Sequence, residues 1–272
     1  MTLNTEWLWS PFDKQVDGSF KWLKDMPKAE YLNELAFYAD LILARKIDVI
    51  ALSEIENESV AIDLAQKLGP TWRAYFKQGR DTATGQDVAL VSRLDYVQGS
   101  ISDFGFPSGK IGNSSKAKRL SKIVGAQFYY PDRTEAGSKP QPRTFGVLTA
   151  HFLSKRNENK HKALNRQKQA VALSKAIEAL RRTTEGIIVL GDFNDVIGSE
   201  TIDILLRHQL KSFESCDNFN AVLSDNLIKQ WRGHIDHIFY QGFDCLAQYE
   251  TDLQHYSDHN AIYGEFKLSV AK

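Results

Sequence analysis

The run Gly186-Ile187-Ile188-Val189-Leu190-Gly191-Asp192-Phe193-Asn194-Asp195 constrains this chain more than any other stretch. Ile187 to Leu190 are consecutive apolar residues with a glycine at each end, which reads as a short strand buried on both faces. Asp192 and Asn194 follow, two residues apart, so an extended backbone points both side chains the same way. A carboxylate and a carboxamide delivered from a strand end suit a site that handles water, a metal ion or a phosphate oxygen. They suit a plain turn equally well, because Asp and Asn bond to nearby backbone. The surrounding chain has to decide.

Upstream, the chain begins in an extended segment, Leu3 to Trp7, and an irregular aromatic stretch runs from Trp9 to Met26. Lys28 to Lys46 reads as a helix with Leu32, Leu35, Ala39 and Ile42 along one face. Asp48 to Ser53 is a second buried strand, closed by Glu54, and Asn57 to Leu68 a second helix, stopped by Gly69-Pro70. Trp72 to Lys77 and Gln86 to Ser92 pair as a hairpin across the polar turn Gly79 to Gly85. Glycine, serine and lysine dominate Gly105 to Ser121, which reads as a mobile surface loop.

Strands are expected at Ile123 to Tyr130 and Thr144 to Phe152, separated by the Pro- and Gly-containing stretch Pro131 to Pro142. The basic helix Lys160 to Arg182 carries Ala170, Leu173, Ile177 and Leu180 as its apolar stripe. Ser199 caps a short helix through His208, and His234 to Tyr240 and Ala261 to Leu268 supply two more strands. No repeat, linker or low-complexity tract divides the chain, so one mixed α/β domain over 1–272 is the expectation.

Composition narrows the class of function. With 42% apolar and 25% charged residues the chain is of the soluble globular type, and no apolar run is long enough for a membrane span. No signal peptide is recognisable at Met1; an exported protein, periplasmic or secreted with its signal removed, is expected, with the cytoplasm as the alternative. Cys216 and Cys245 are too few for a disulfide scaffold and lack metal-type spacing, which leaves a single bridge or two buried thiols. The net charge of +0 hides an asymmetry: between Lys110 and Arg182, 17 Lys and Arg face 4 Asp and Glu, a balance of +13. A basic middle fits a polyanion-binding face, and a charge-rich helix fits a merely solvated one.

Several strands end in residues that an apolar core would not select. Glu54 closes Ile50-Ala51-Leu52-Ser53, His151 follows Leu148-Thr149-Ala150, Asp236 interrupts His234-Ile235-Asp236-His237-Ile238-Phe239, and Asp258-His259-Asn260 precedes Ala261-Ile262-Tyr263. Each has a bland reading as a cap, a surface acid or a core histidine. Together with Asn4, Asp192 and Asn194 they form a pattern, because buried carboxylates need a counter-charge and several converging ones favour a hard divalent cation. Oxygen ligands without cysteine point to Mg2+, with Mn2+ or Ca2+ as alternatives, rather than zinc.

The ordered set of Asn4 in Leu-Asn-Thr-Glu-Trp-Leu, Glu54 in Ala-Leu-Ser-Glu-Ile-Glu-Asn, His151 in Thr-Ala-His-Phe, Gly191-Asp192-Phe193-Asn194, Asp236 in His-Ile-Asp-His, and Ser257-Asp258-His259 resembles the endonuclease/exonuclease/phosphatase superfamily, the deoxyribonuclease-I-like fold. Gln86-Asp87-Val88-Ala89-Leu90 and His151-Phe152-Leu153-Ser154-Lys155-Arg156 resemble its bacterial extracellular-nuclease branch. The resemblance implies a four-layer α/β sandwich, two packed mixed sheets flanked by helices. It also implies roles: Glu54 as principal metal ligand with Asn4 beside it and Asp258 close by, Asp192 activating water, Asn194 holding that water or a phosphate oxygen, His259 as acid/base positioned by Asp236, and His151 on the scissile phosphate. Asp87 is expected to support His151.

The reaction then expected is metal-dependent cleavage of DNA, with RNA as a second candidate substrate, by a monomer that docks no membrane. Arg119, Lys122, Lys155, Arg156 and Arg166 are the candidate phosphate contacts, which give affinity without base readout. The alternatives are a lipid or small-molecule phosphodiesterase or phosphatase of the same fold, and a nucleic-acid-binding protein without catalysis.

Overall fold

The computed structural model describes residues 1–12, 26–80, 85–112, 116–131, 142–216, 219–220 and 233–269. The expected aromatic stretch 9–26, turn 79–85 and stretch 131–142 fall largely outside these residues. Two mixed sheets carry the molecule. The first runs in the order β11 (Phe219–Asn220), β13 (Phe243–Asp252), β14 (Asn260–Leu268), β1 (Thr2–Leu8), β2 (Val49–Ile55), β4 (Asp87–Ser92), β3 (Arg73–Phe76). The second runs β10 (Lys211–Ser212), β12 (Asp236–Gln241), β9 (Gly186–Asp192), β8 (Thr144–Ala150), β7 (Ile123–Tyr129). β1 and β2 are parallel, as are β8 and β9.

Side-chain alternation explains the layering, since successive strand residues face opposite ways. Ile50 and Leu52 of β2 pack outward under α1 (Lys28–Ala44) and α2 (Glu58–Leu68), while Ala51 between them joins the layer that separates the sheets. β9 does the same on the other side. Ile187 and Val189 pack with Leu173 and Ile177 of α3 (Lys160–Arg181) and Ile202 and Leu205 of α4 (Glu200–Leu206), whereas Leu190 meets Phe128, Phe145 and Ile262 between the sheets. The result is helices, sheet, sheet, helices, as expected. Truncating a fully buried leucine of these layers, such as Leu173, to alanine costs ~2–5 kcal/mol.

The helices start where side chains can satisfy their first amides. Asn57 accepts from Ser59 N at 2.8 Å, Asn159 from His161 N and Lys162 N at 3.0 Å each, and Ser199 from Ile202 N at 3.4 Å. Among the described residues no helix is long and apolar enough to cross a membrane. Cys216 and Cys245 form a disulfide, with Cα atoms 5.7 Å apart.

Three expectations need correction. Leu32 is 44% exposed; the buried face of α1 is Tyr31, Leu35, Tyr38, Ala39 and Ile42, and the tyrosines are admitted because their hydroxyls reach Asp63 and Glu34. β13 is not legible in the sequence, because its polar Gln248 and Glu250 are buried while its apolar Leu246 and Tyr249 are exposed. Finally, 105–121 is no plain loop. It contains a small antiparallel ribbon, β5 (Ser108–Gly109) with β6 (Lys118–Arg119), anchored by buried Phe106 and Leu120. The ribbon lies so close to α3 that a Cβ on Gly109 would sit 1.7 Å from the Lys168 carbonyl oxygen.

Candidate active site

Strand ends of both sheets converge on one cleft, and two backbone irregularities aim the side chains there. Glu54 sits where β2 slips register against both β1 and β4, at φ +64. A bulge of this kind turns a side chain away from the regular alternation. Gly191, at φ +145, is the other: a Cβ there would lie 2.3 Å from the Ala150 carbonyl oxygen. Its absence lets the ends of β8 and β9 close up, and Phe152 N donates to Asp192 O at 2.9 Å. His151 and Asp192 are thereby brought side by side. On the far side of β9, Asp236 of β12 is the register partner of Asp192.

Asn4 is the hub. Its Nδ2 lies 3.3 Å from Glu54 Oε1, 3.1 Å from Asp192 Oδ2 and 3.3 Å from His259 Nε2, while its Oδ1 accepts from Glu6 N at 3.0 Å. In this orientation the amide presents its nitrogen to the carboxylates. Gln86 Nε2 donates to Glu54 Oε2 at 2.6 Å, and Lys122 Nζ donates to Gln86 Oε1 at 3.3 Å. His259 Nδ1 is 2.5 Å from Asp236 Oδ2. His151 Nε2 approaches Asp192 Oδ2 at 3.5 Å and Glu54 Oε1 at 3.8 Å, with its Nδ1 buried and without a hydrogen-bond partner.

Electrostatics divides the two imidazoles. Burial alone would lower the His259 pKa, but Asp236, by charge and hydrogen bond, and Asp192 hold it well above the ordinary value. Burial pushes His151 well below, and Lys122 and His259 add to that. A proton donor and a neutral imidazole therefore coexist in one site. Burial raises Glu54, against the pull of His259 and Asn4, and raises Asp192 well above the carboxylate range, with repulsion from Asp236 as the next cause.

Desolvated carboxylates that repel one another fit a cation. Ligand atoms of Glu54, His151 and Asp192 lie within 4.8 Å of each other, as do those of Asp192, Asp236 and His259, and Asp236 Oδ1 is buried without a hydrogen-bond partner. An oxygen-rich donor set without thiolate matches a hard divalent ion.

The remaining expected residues divide. Asp258 is at the rim, 53% exposed, with Oδ1 3.7 Å from His259 Nε2. Asn194 does not extend the strand: at φ +51 it turns, its amide donates to Asp192 Oδ1 at 2.8 Å, and its side chain laces Phe152 O and Lys155 N. Asn194 thus makes a turn and also lines the cleft. Arg119, Lys122 and Arg156 line the cleft as well. Arg166 does not. It is 1% exposed and clamped between Glu158, at 2.6 and 2.9 Å, and Asp195, at 3.2 Å, so no phosphate reaches it. Lys155 gives its Nζ to Asp195 Oδ1 at 2.6 Å. Asp87 receives Gln78 Nε2 at 2.6 Å and Gly79 N at 3.0 Å and makes no hydrogen bond to His151 Nδ1, so the expected support is not made.

Sequence reasoning passed over Gln86, which orients Glu54, and Asp195, which gathers Lys155 and Arg166. Both stood inside motifs already noticed, next to residues chosen instead. The cleft, about 930 Å³, is also lined by Trp7, Arg80, Lys118 and Lys162.

The sequence matches the endonuclease/exonuclease/phosphatase family over residues 1–259. The chain belongs to that family. Solved structures agree on the deoxyribonuclease-I-like fold at low identity. An endonuclease/exonuclease/phosphatase protein from Bacteroides vulgatus is 14% identical, covering 98% of this chain and 97% of its own, at a TM-score of 0.61. The catalytic domain of human nocturnin, with bound sulfate, is 14% identical over 87% of each chain at 0.59, and a mannosyl-6-phosphatase from Bacteroides thetaiotaomicron is 16% identical over 86% and 91% at 0.56. A comparison with curated proteins gives no match. The family is hydrolytic, with phosphodiesterase and phosphatase members, and generally depends on divalent metals.

Proposed function

We propose that this family member is a divalent-metal-dependent nuclease that hydrolyses the sugar–phosphate backbone of DNA, and of RNA as well, as a monomer. The observation that carries this reading is that Arg80, Lys118, Arg119, Lys122, Arg156 and Lys162 line the same cleft as Glu54, His151, Asp192 and His259. A row of cations beside the reacting centre suits a substrate with phosphates on either side of the one being cut. A small monoester would need fewer. The disulfide supports an exported enzyme, since such bonds persist in oxidising compartments.

Glu54 would hold the metal, oriented by Asn4 and Gln86, with Asp192 beside it and Asp258 at the rim. Bound there, a divalent ion polarises the phosphoryl oxygens and stabilises negative charge. Asp192, held by Asn4 Nδ2 at 3.1 Å and beside the metal site, would take the proton of the attacking water once the cation offsets its charge. His259, protonated and steadied by Asp236, gives its proton to the leaving sugar oxygen. His151 offers Nε2 to a phosphoryl oxygen as a neutral hydrogen-bond donor.

Incubating the purified protein with supercoiled plasmid and Mg2+ tests the reading. Nicking followed by smearing is expected, absent in EDTA and in His259→Ala. An intact plasmid under Mg2+ and Mn2+, with turnover of small phosphoesters instead, would overturn it.

A further inference from the structure

The cleft has an aromatic side that phosphate binding leaves unexplained. Trp7 lines it, partly exposed, and Trp9, 4% exposed, lies behind with ring centroids 5.9 Å apart and planes at 34°. Trp7 reaches this position on costly backbone. Glu6 and Trp7 have φ +44 and +75, two successive non-glycine residues in the left-handed region, where β1 loses register with β2 between Asn4 and Leu8. A bulky side chain there is strained, and such strain survives only where neighbouring bonds impose it.

Those bonds are present. Asn4 Oδ1 takes Glu6 N at 3.0 Å, Glu6 Oε2 takes Asp258 N at 2.8 Å, Ser257 Oγ donates to Asn4 O at 2.9 Å, and Leu8 O takes Glu56 N at 3.1 Å. Aiming Asn4 does not require the strain, because Asn4 still pairs in register with Ser53 before the slip begins. What the bulge redirects is Glu6 and Trp7.

Resting on the nuclease reading above, we infer that Trp7 is the wall of a base-binding subsite, where its indole stacks on an unpaired nucleobase adjoining the phosphate to be cut. A nucleotide offers a charged edge and a flat apolar face, and the cleft offers cations and an indole for each. Stacking is indifferent to base identity and requires a base face that is not already covered by a neighbour. The subsite therefore takes single strands or frayed ends in preference to intact duplex.

The test compares an ordinary single-stranded oligonucleotide with one of the same length made of stable abasic units. The ordinary strand should be cut with the lower KM, by roughly 5- to 100-fold. Trp7→Ala and Trp7→Leu should erase that preference, the loss falling in KM on the ordinary strand, while Trp7→Phe should keep most of it. In EDTA, oligothymidylate should quench tryptophan fluorescence of the unaltered protein and not of Trp7→Leu. Equal KM for the two strands, or equal loss of kcat on both in the variants, would overturn the subsite and leave the nuclease reading intact. No cleavage of either strand in Mg2+ or Mn2+ would overturn both.

Discussion

Asp192 and Asp236 stand directly opposite each other, the last residue of β9 against the first of β12. Two carboxylates in that register, 1% and 5% exposed, cannot both be charged without compensation. His259 supplies it on one side, and on the other the candidate ligand group Glu54, His151 and Asp192 is where a cation would add to it.

The His259–Asp236 pair gives the first prediction. Asp236→Asn should bring the His259 titration, followed by NMR of the labelled imidazole, down towards or below the ordinary histidine value, and should lower kcat by ~10²–10⁴-fold. The sign for stability follows from the raised pKa: the pair stabilises the fold fully below the unfolded-state value and loses that contribution as pH rises through the folded one. His151 behaves oppositely. Its depressed pKa means that stability is lost as pH falls through the ordinary value and below. Urea unfolding of His259→Ala and His151→Ala against pH should therefore deviate from the unaltered protein in opposite directions.

Metal binding should be visible without any substrate. A divalent ion that binds only the folded state adds ~2.7 kcal/mol at 100 times its Kd, so Mg2+ or Mn2+ should raise Tm measurably and EDTA reverse it. Glu54→Gln keeps the shape but removes a charge, and should abolish the rise. An equal rise in that variant would place the ion elsewhere.

The two kinds of arginine should separate by salt dependence. Arg119→Ala and Arg156→Ala should each reduce the slope of log affinity against log salt on duplex DNA by ~0.9. Arg166→Met should leave the slope unchanged. It should destabilise instead, by ~3–5 kcal/mol, because Asp195 and Glu158 lose their bridging guanidinium.

That contrast shows where sequence reading stops. The buried strands, the stripe of α3 and the polar residues at strand ends were legible because period and abrupt polarity changes are local signals. Arg166 was not, since a cation in a basic helix looks solvated until Asp195, from a different strand end, is placed against it. Leu32 misled for the converse reason: the tyrosines Tyr31 and Tyr38 occupy the core by finding partners one turn or one helix away. Gln86 immediately precedes β4 and Asp87 opens it, yet Gln86 meets Glu54 at the bulge of β2 while Asp87 turns to Gln78 and Gly79.

The fit between Gly109 and α3 also sets where two cations of the cleft stand. The ribbon carries Lys118 and Arg119 at the mouth of the cleft, and its seat depends on one missing carbon atom. Any residue larger than glycine at 109 would lift the ribbon off the helix and carry two charges away from the mouth. On the nuclease reading proposed above, a substitution at 109 should weaken the grip on a long polyanion without altering a single charged residue.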